Sequence, residues 1–338
     1  MSDDLERGTS YFGVRNVEHA ERDLERFDEA GLNAVLHTFS ERDYEYYQGT
    51  MERIVEKSHD RGFTVYVNPW GVGRVFGGEA VSEFIGRRAD ARQVLSTGEG
   101  VPAACFSNPT FRRFVRNWTK AAVETGADVV FWDEPHWFIA DWADISVPET
   151  AWTCHCEHCQ RAFEAQYGES LPTDPTPQTD AFREDMLLEF LDEMMELVHG
   201  LGARNAVCLL PREDTEHGLS DWESLAANEF LDIFATDPYW AAFPHATGPE
   251  SFVGEYTDRV VSLANEHDVD SQIWIQGFRL DDEPSTIEAV KTATETAVEG
   301  GVDSVFMWGY DGCRSISSIA CDDPDAVWNA YLETVPSS

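Results

Sequence analysis

Lysine is nearly missing from this chain: among 338 residues only Lys57, Lys120 and Lys291 carry it. Arginine supplies the rest of the positive charge, and 63 Asp and Glu residues leave a formal net charge of −39. Such a chain offers no basic stripe to neutralise phosphates. That argues against nucleic acids and anionic membrane surfaces as partners. The acids are spread along the whole chain and not gathered in a run or tail, so a binder of cations or basic proteins fits poorly. A protein built for concentrated salt fits better. Molar salt shortens the Debye length to about 3 Å and removes most of the self-repulsion of such a surface. A halophilic protein is therefore expected.

Other absences narrow the class further. MSDDLERGTS has neither a basic n-region nor an apolar h-region, so no secretory signal is expected. No apolar run reaches the ~18 residues of a membrane span. Together these predict a cytoplasmic protein with no membrane partner. Seven cysteines are an odd number and do not suggest a disulfide framework. No GxGxxG follows the first strand candidate, and no Walker motif is present.

What the chain does have is a repeating pattern. Short apolar runs at 11–15, 33–38, 63–68, 128–132, 205–210, 230–236, 271–276 and 303–308 alternate with longer helical stretches. EAGLNAVLH, DRGFTVYV, ETGADVVFW and EGGVDSVFMW each read as a helix end, a glycine stop and a strand. Eight βα units in one chain of this length predict a single (β/α)8 barrel, the TIM barrel, over residues 1–338. A doubly wound sheet is the structural alternative. The gap between the fourth and fifth strand candidates is unusually long, which places an insertion at 141–182 in the β4–α4 loop. The glycine-rich WGVGRVFGGEA (70–80) reads as an active-site loop in preference to a phosphate cradle.

In such a barrel the C-terminal ends of the strands carry the chemistry. The ends here offer Arg15, Asn16, His37, Glu41, Asn68, Trp70, Asp133, Glu134, His136, Asp237, Tyr239, Trp240, Gln276, Arg279, Trp308, Tyr310 and Asp311. Carboxylates and amides suit sugar hydroxyls, and indoles suit the apolar face of a sugar ring. A carbohydrate is the expected ligand. Arg15, His37, Glu41, Trp70, His136, Tyr239, Trp240, Gln276, Trp308 and Asp311 are the candidates that would bind it. Trp132 either joins the stacking wall or points outward. His37 and Arg15 also have a plain structural reading, and Asp311 reads equally well as a turn residue.

CHCEHC places Cys154, Cys156 and Cys159 as C-x-C-x-x-C, a spacing that suits tetrahedral zinc and leaves a fourth ligand to be found. His155, His158 and Cys105 are the choices. Here the sequence resembles the catalytic barrel of family 42 glycoside hydrolases, the β-galactosidases. The resemblance lies in Cys105, Asn108, Pro109, Phe111 and Arg112, and again in Cys154, Cys156, Cys159, Ala162 and Phe163. It is specific over residues 100–167 and thin elsewhere. It implies that Cys105 completes a structural zinc site with the other three cysteines.

The resemblance also implies that Glu134 stands at the general acid/base position. The family has an Asn-Glu pair there, and this chain has Asp133-Glu134. The family's nucleophile is a Glu at the end of the seventh strand, where this chain has Gln276. An amide cannot act as that nucleophile. Asp133 or Asp237 is then the second catalytic candidate. Carboxyls about 5–5.5 Å apart would retain configuration, and about 6.5–9.5 Å apart would invert it. A substrate 2-acetamido group acting as nucleophile is another solution. A non-catalytic carbohydrate-binding barrel and a metal-dependent sugar isomerase or epimerase are the alternative functions. The oligomeric state is left open, a homo-oligomer included.

Overall fold

The computed structural model describes residues 5–335 except 144, 149 and 244. Its strands are β1 (Glu6–Tyr11), β2 (Ala34–Thr38), β3 (Thr64–Asn68), β4 (Arg92–Val94), β5 (Gly100–Ala104), β6 (Val129–Asp133), β7 (Arg204–Leu209), β8 (Ile233–Thr236), β9 (Asp270–Gln276) and β10 (Ser304–Trp308). All but β4 and β5 pair in parallel and close into an eight-stranded barrel, with β10 back against β1. This is the predicted (β/α)8 fold. The remaining two strands form an antiparallel hairpin that the sequence reading missed.

The helices are α1 (Val17–Glu29), α2 (Gln48–His59), α3 (Glu83–Arg87), α4 (Pro109–Glu124), α5 (Glu157–Tyr167), α6 (Pro177–Gly200), α7 (Trp222–Ala226), α8 (Pro249–His267), α9 (Pro284–Glu299) and α10 (Pro324–Thr334). Their ends follow from local chemistry. Asn108 caps α4 by accepting from Thr110 N and Phe111 N, and Pro109 supplies a first residue that needs no donor. Phe111, Val115, Trp118 and Ala122 then recur at helical spacing and are buried. The four glycines predicted to stop helices, Gly31, Gly62, Gly126 and Gly301, all have positive φ.

Two layers of core result from the strand alternation. Side chains facing the lumen, such as Leu36, Tyr66, Phe131, Trp274 and Phe306, form one cluster. Those facing the helices, such as Val35, Val65, Val130 and Val305, join the larger one. At Gly8 a Cβ would lie 2.2 Å from the Phe306 ring, so the absence of a side chain lets Phe306 fill the barrel.

The first strand differs from expectation. It is Glu6–Tyr11 and not 11–15. ERGTSY looks polar because Gly8 and Ser10 make way for lumen aromatics, while Arg7 and Thr9 are buried. Arg15 and Asn16 therefore lie beyond the strand end, and Asn16 caps α1 by accepting from His19 N. The long gap before β7 holds α5 and then α6. Since α6 starts at Pro177, the predicted insertion limit of 182 falls inside it.

Candidate active site and cysteine cluster

Strand register decides which side chains reach the barrel mouth. On β6, Val129 and Phe131 face the lumen, so Asp133 does too. The same parity sets Asn68 above Tyr66, Asp237 above Ile233 and Ala235, and Gln276 above Trp274. Trp132 has the opposite parity. It is fully buried, donates from Nε1 to Asn205 Oδ1 at 3.0 Å, and packs on Phe76 and Trp118. It points outward and is no part of a stacking wall.

A cavity of about 490 Å³ opens at the mouth, lined by Asp133, Glu134, Asp237, Tyr239 and Trp308 among others. Asp133 Oδ2 accepts from Asn68 Nδ2 at 2.8 Å. Glu134 N donates to the Cys208 carbonyl at 2.9 Å, and Glu134 has φ 42°, an uncommon conformation for a residue with a side chain. Glu134 and Asp237 interact closely, and the interaction favours the proton on Asp237. Two buried carboxyls side by side avoid charge repulsion when one carries a proton. Asp237 Oδ1 is buried and finds no donor among the described residues.

The glycine-rich loop makes this crowding possible. Gly77 N donates to the Asp133 carbonyl at 2.9 Å. A Cβ on Gly77 would lie 2.7 Å from Glu134 Oε2 and 3.0 Å from Asp133 Oδ2. The loop itself is held from behind. Glu41 accepts from Gly73 N, Ser82 Oγ and Phe84 N at 3.0, 2.6 and 2.7 Å.

All three mouth carboxyls have raised pKa values. Burial is the main cause for each, and it pushes Asp133 and Asp237 well above the ordinary carboxylate range. The neighbouring Glu134 charge raises both further. Glu134 is also raised by burial, while its bond to Asp237 pulls the other way. The trio therefore holds protons to a higher pH than free carboxylates do.

Of the sequence candidates, Asp133, Glu134, Asp237, Tyr239, Arg279 and Trp308 line the cavity. The others lie outside its lining, each engaged or placed elsewhere. Arg15 pairs with Asp43 at 2.6 Å. His37 faces outward with Val35, meets Ser58 Oγ at 2.9 Å, and is held neutral by burial, its pKa lowered to about 3. Glu41 holds the loop. Trp70 packs against Gly78 and donates to Glu79 Oε2 at 3.3 Å. Gln276 is tied at both ends, accepting from Ala241 N at 3.0 Å and donating to the Phe278 carbonyl at 3.1 Å. Asp311 pairs with Arg314. Trp240 is partly buried against the outer core.

His136 contacts the Glu134 carbonyl through Nδ1 at 2.5 Å and lines a smaller neighbouring chamber. With His37 and His136 turned away, no histidine joins the three carboxyls at the mouth among the described residues. Arg74, Glu79, Asp141 and Trp142 also line the cavity and were missed. They come from loops, where periodicity carries no signal.

The cysteines do come together. Cys105, Cys154, Cys156 and Cys159 offer sulfurs that all lie within 4.8 Å of one another. Cys105 Sγ is 3.5 Å from both Cys159 Sγ and Cys156 Sγ. Tetrahedral zinc with Zn–S bonds of about 2.3 Å would set sulfurs roughly 3.8 Å apart. The thiols are close enough together to hold a four-coordinate metal ion. The other three thiols draw the Cys156 pKa down, while thiol contacts and burial raise Cys105 and Cys159. The cluster joins two loops. Cys105 follows β5, and the 152–155 segment bonds to the hairpin through His155 N to the Val94 carbonyl at 2.7 Å and Ser96 N to the Trp152 carbonyl at 2.9 Å.

No protein-family profile matches this chain, and no curated protein matches it in sequence. Solved structures do match it in shape. The catalytic domain of a β-amylase from Paenibacillus polymyxa superposes with TM-score 0.62 at 12% identity, covering 99% of this chain and 100% of that one. A catalytic mutant of a GH42 β-galactosidase from G. stearothermophilus gives TM-score 0.68 at 13% identity, over 98% of this chain but only 56% of that one. A D-psicose 3-epimerase from Clostridium cellulolyticum H10 gives 0.52 at 10% identity over 98% and 97%. The chain thus has the barrel fold found in glycoside hydrolases, and at these identities the likeness is one of fold.

Proposed function

We propose that this chain is a single-domain glycoside hydrolase-like enzyme acting on a carbohydrate, with Glu134 as general acid. The observation that carries this reading is the grouping of Asp133, Glu134 and Asp237 in one cavity walled by Trp308 and Tyr239. A general acid must keep its proton at working pH, and burial favours that for Glu134 against the pull of Asp237. Glu134 gives its proton to the glycosidic oxygen as the C–O bond breaks. Water supplies the hydroxyl to the anomeric carbon, and its proton returns to the carboxyl pair.

Asp237 interacts with Glu134 itself and draws the proton toward its own carboxyl. It therefore serves as the acid's proton partner. Asp133, oriented by Asn68, is the second catalytic group, as base or as the residue that orients a substrate nucleophile. The four cysteines hold a structural zinc that pins the loop after β6 to the β4–β5 hairpin. The surface charge adapts the protein to concentrated salt.

The test is a screen of nitrophenyl glycosides in molar KCl, followed by Glu134→Gln. Turnover of at least one glycoside is expected, and the variant should lose about 10²–10⁴-fold with unchanged melting. Full activity in the variant would remove Glu134 from the chemistry.

A further inference from the structure

Arginines in this chain usually meet acids. Arg15 pairs with Asp43, Arg112 with Glu189 and Glu193, Arg259 with Glu213, and Arg314 with Asp311 and Asp325. Some arginines form no such pair among the described residues, and two of these, Arg74 and Arg279, line the main cavity. Of the two, Arg74 alone also borders the second chamber. It is half-buried and makes one long contact of 3.5 Å to the Gly78 carbonyl. Among the described residues it has no ion-pair partner.

Its backbone has φ 54°, so the loop is held in an uncommon conformation where this guanidinium leaves it. Five acids share the cavity with it, Glu79, Asp133, Glu134, Asp141 and Asp237, and none pairs with it among the described residues. Asp133 takes Asn68 and Glu79 takes Trp70. Arg74 and Trp142 also line a second chamber of about 210 Å³, otherwise walled by Pro102, His136, Phe138 and Ile139. With Nδ1 set toward the Glu134 carbonyl, neutral His136 has only an acceptor nitrogen left. Arg74 is then the cationic donor at the junction of the two chambers.

We propose that the substrate is an acidic saccharide, and that Arg74 binds its anionic group, a carboxylate or a sulfate ester, where the two chambers meet. This rests on the carbohydrate reading above and names the substrate class for the same site. The planar guanidinium fork suits both oxyanions. An anion held there also helps Glu134 keep its proton.

Calorimetric binding tests it, at the lowest KCl that leaves the circular dichroism spectrum unchanged. The probes are disaccharides in matched pairs: glucuronate against glucose, galacturonate against galactose, mannuronate against mannose, and galactose 6-sulfate against galactose. At least one acidic member should bind about tenfold or more tighter than its neutral twin, the size of one charge-assisted hydrogen bond. Arg74→Gln should bring the pair within about twofold. Arg113→Gln, which removes the same charge from an exposed helix face, should leave the preference intact. Preference for a uronate or for the sulfate tells which oxyanion the site takes. If no acidic member is preferred, or if Arg113→Gln erases the preference equally, the proposal is overturned. Hydrolysis of neutral glycosides without acidic preference overturns it while leaving the hydrolase reading standing. Selective binding of an acidic sugar that is never cleaved keeps Arg74 and removes the hydrolase reading.

Discussion

Two regions of this molecule crowd acidic groups together, and they resolve the crowding differently. At the mouth, Asp133, Glu134 and Asp237 line one cavity, with the Asn68 amide donating to Asp133. Beside it, four cysteines place their sulfurs within 4.8 Å. A neutral thiol rests easily in apolar surroundings. A buried carboxylate does not, and loses stability unless it is protonated or paired. The thiol cluster is therefore closed and complete once a metal binds. The carboxyl cluster stays unfinished on the side facing the cavity. One arrangement joins two loops, and the other faces the open cavity.

The largest expected effect breaks the thiol side. Cys156→Ser should abolish stoichiometric zinc in elemental analysis and cost more than about 4 kcal/mol of stability, as loss of a structural metal does. Zinc-free wild type with an unshifted denaturation midpoint in the variant would leave only four packed thiols. Next comes the carboxyl side. Gly77→Ala puts a methyl 2.7 Å from Glu134 Oε2 and should lower kcat/KM roughly 10²-fold, the scale of an ångström's misplacement. Unchanged kinetics would show that the trio tolerates displacement.

Gln276→Glu should not create a faster hydrolase. It keeps the acceptor for Ala241 N but sets an acidic oxygen against the Phe278 carbonyl. A loss of about 1–3 kcal/mol is expected in urea unfolding. Increased turnover would instead reveal a cryptic nucleophile position.

The smallest effect depends on pH. Asp237 has a folded pKa well above 3.8 because burial disfavours its anion. Its acid form contributes stability that is full below about pH 3.8 and lost as pH rises through the folded value. Asp237→Asn stays neutral throughout. The variant should match wild type near pH 4 and exceed it by on the order of 1 kcal/mol at pH 8. A constant difference across that range would mean Asp237 does not change its charge there.

Much of this was legible in the sequence, and the reasons are local. The glycine stops and apolar runs fixed seven of the eight barrel strands to within a few residues, because each is decided by neighbours in the chain. The first strand was misplaced because its small lumen residues are small for the sake of Phe306, a partner 298 positions away from Gly8 in sequence. The C-x-C-x-x-C spacing found three ligand candidates, and the family resemblance supplied Cys105. At the mouth, strand-end residues were found but their directions were not. Counting by twos from Phe131 would have turned Asp133 inward and Trp132 outward. Counting by twos from Val35 would have taken His37 out of the binding list. Arg74 and Trp142 left no comparable trace, since loop side chains are aimed by tertiary contacts.

Gly77 has a use outside the protein itself. Distant kin are best recognised by features that cannot change separately. The Asp-Glu pair after the fourth barrel strand and the bare backbone at position 77 are joined in this way, since a methyl there would occupy the acids' space. A search that requires both, about 55 residues apart, filters out barrels that merely share the shape. It also separates chains that kept the three-acid mouth from those that refilled it.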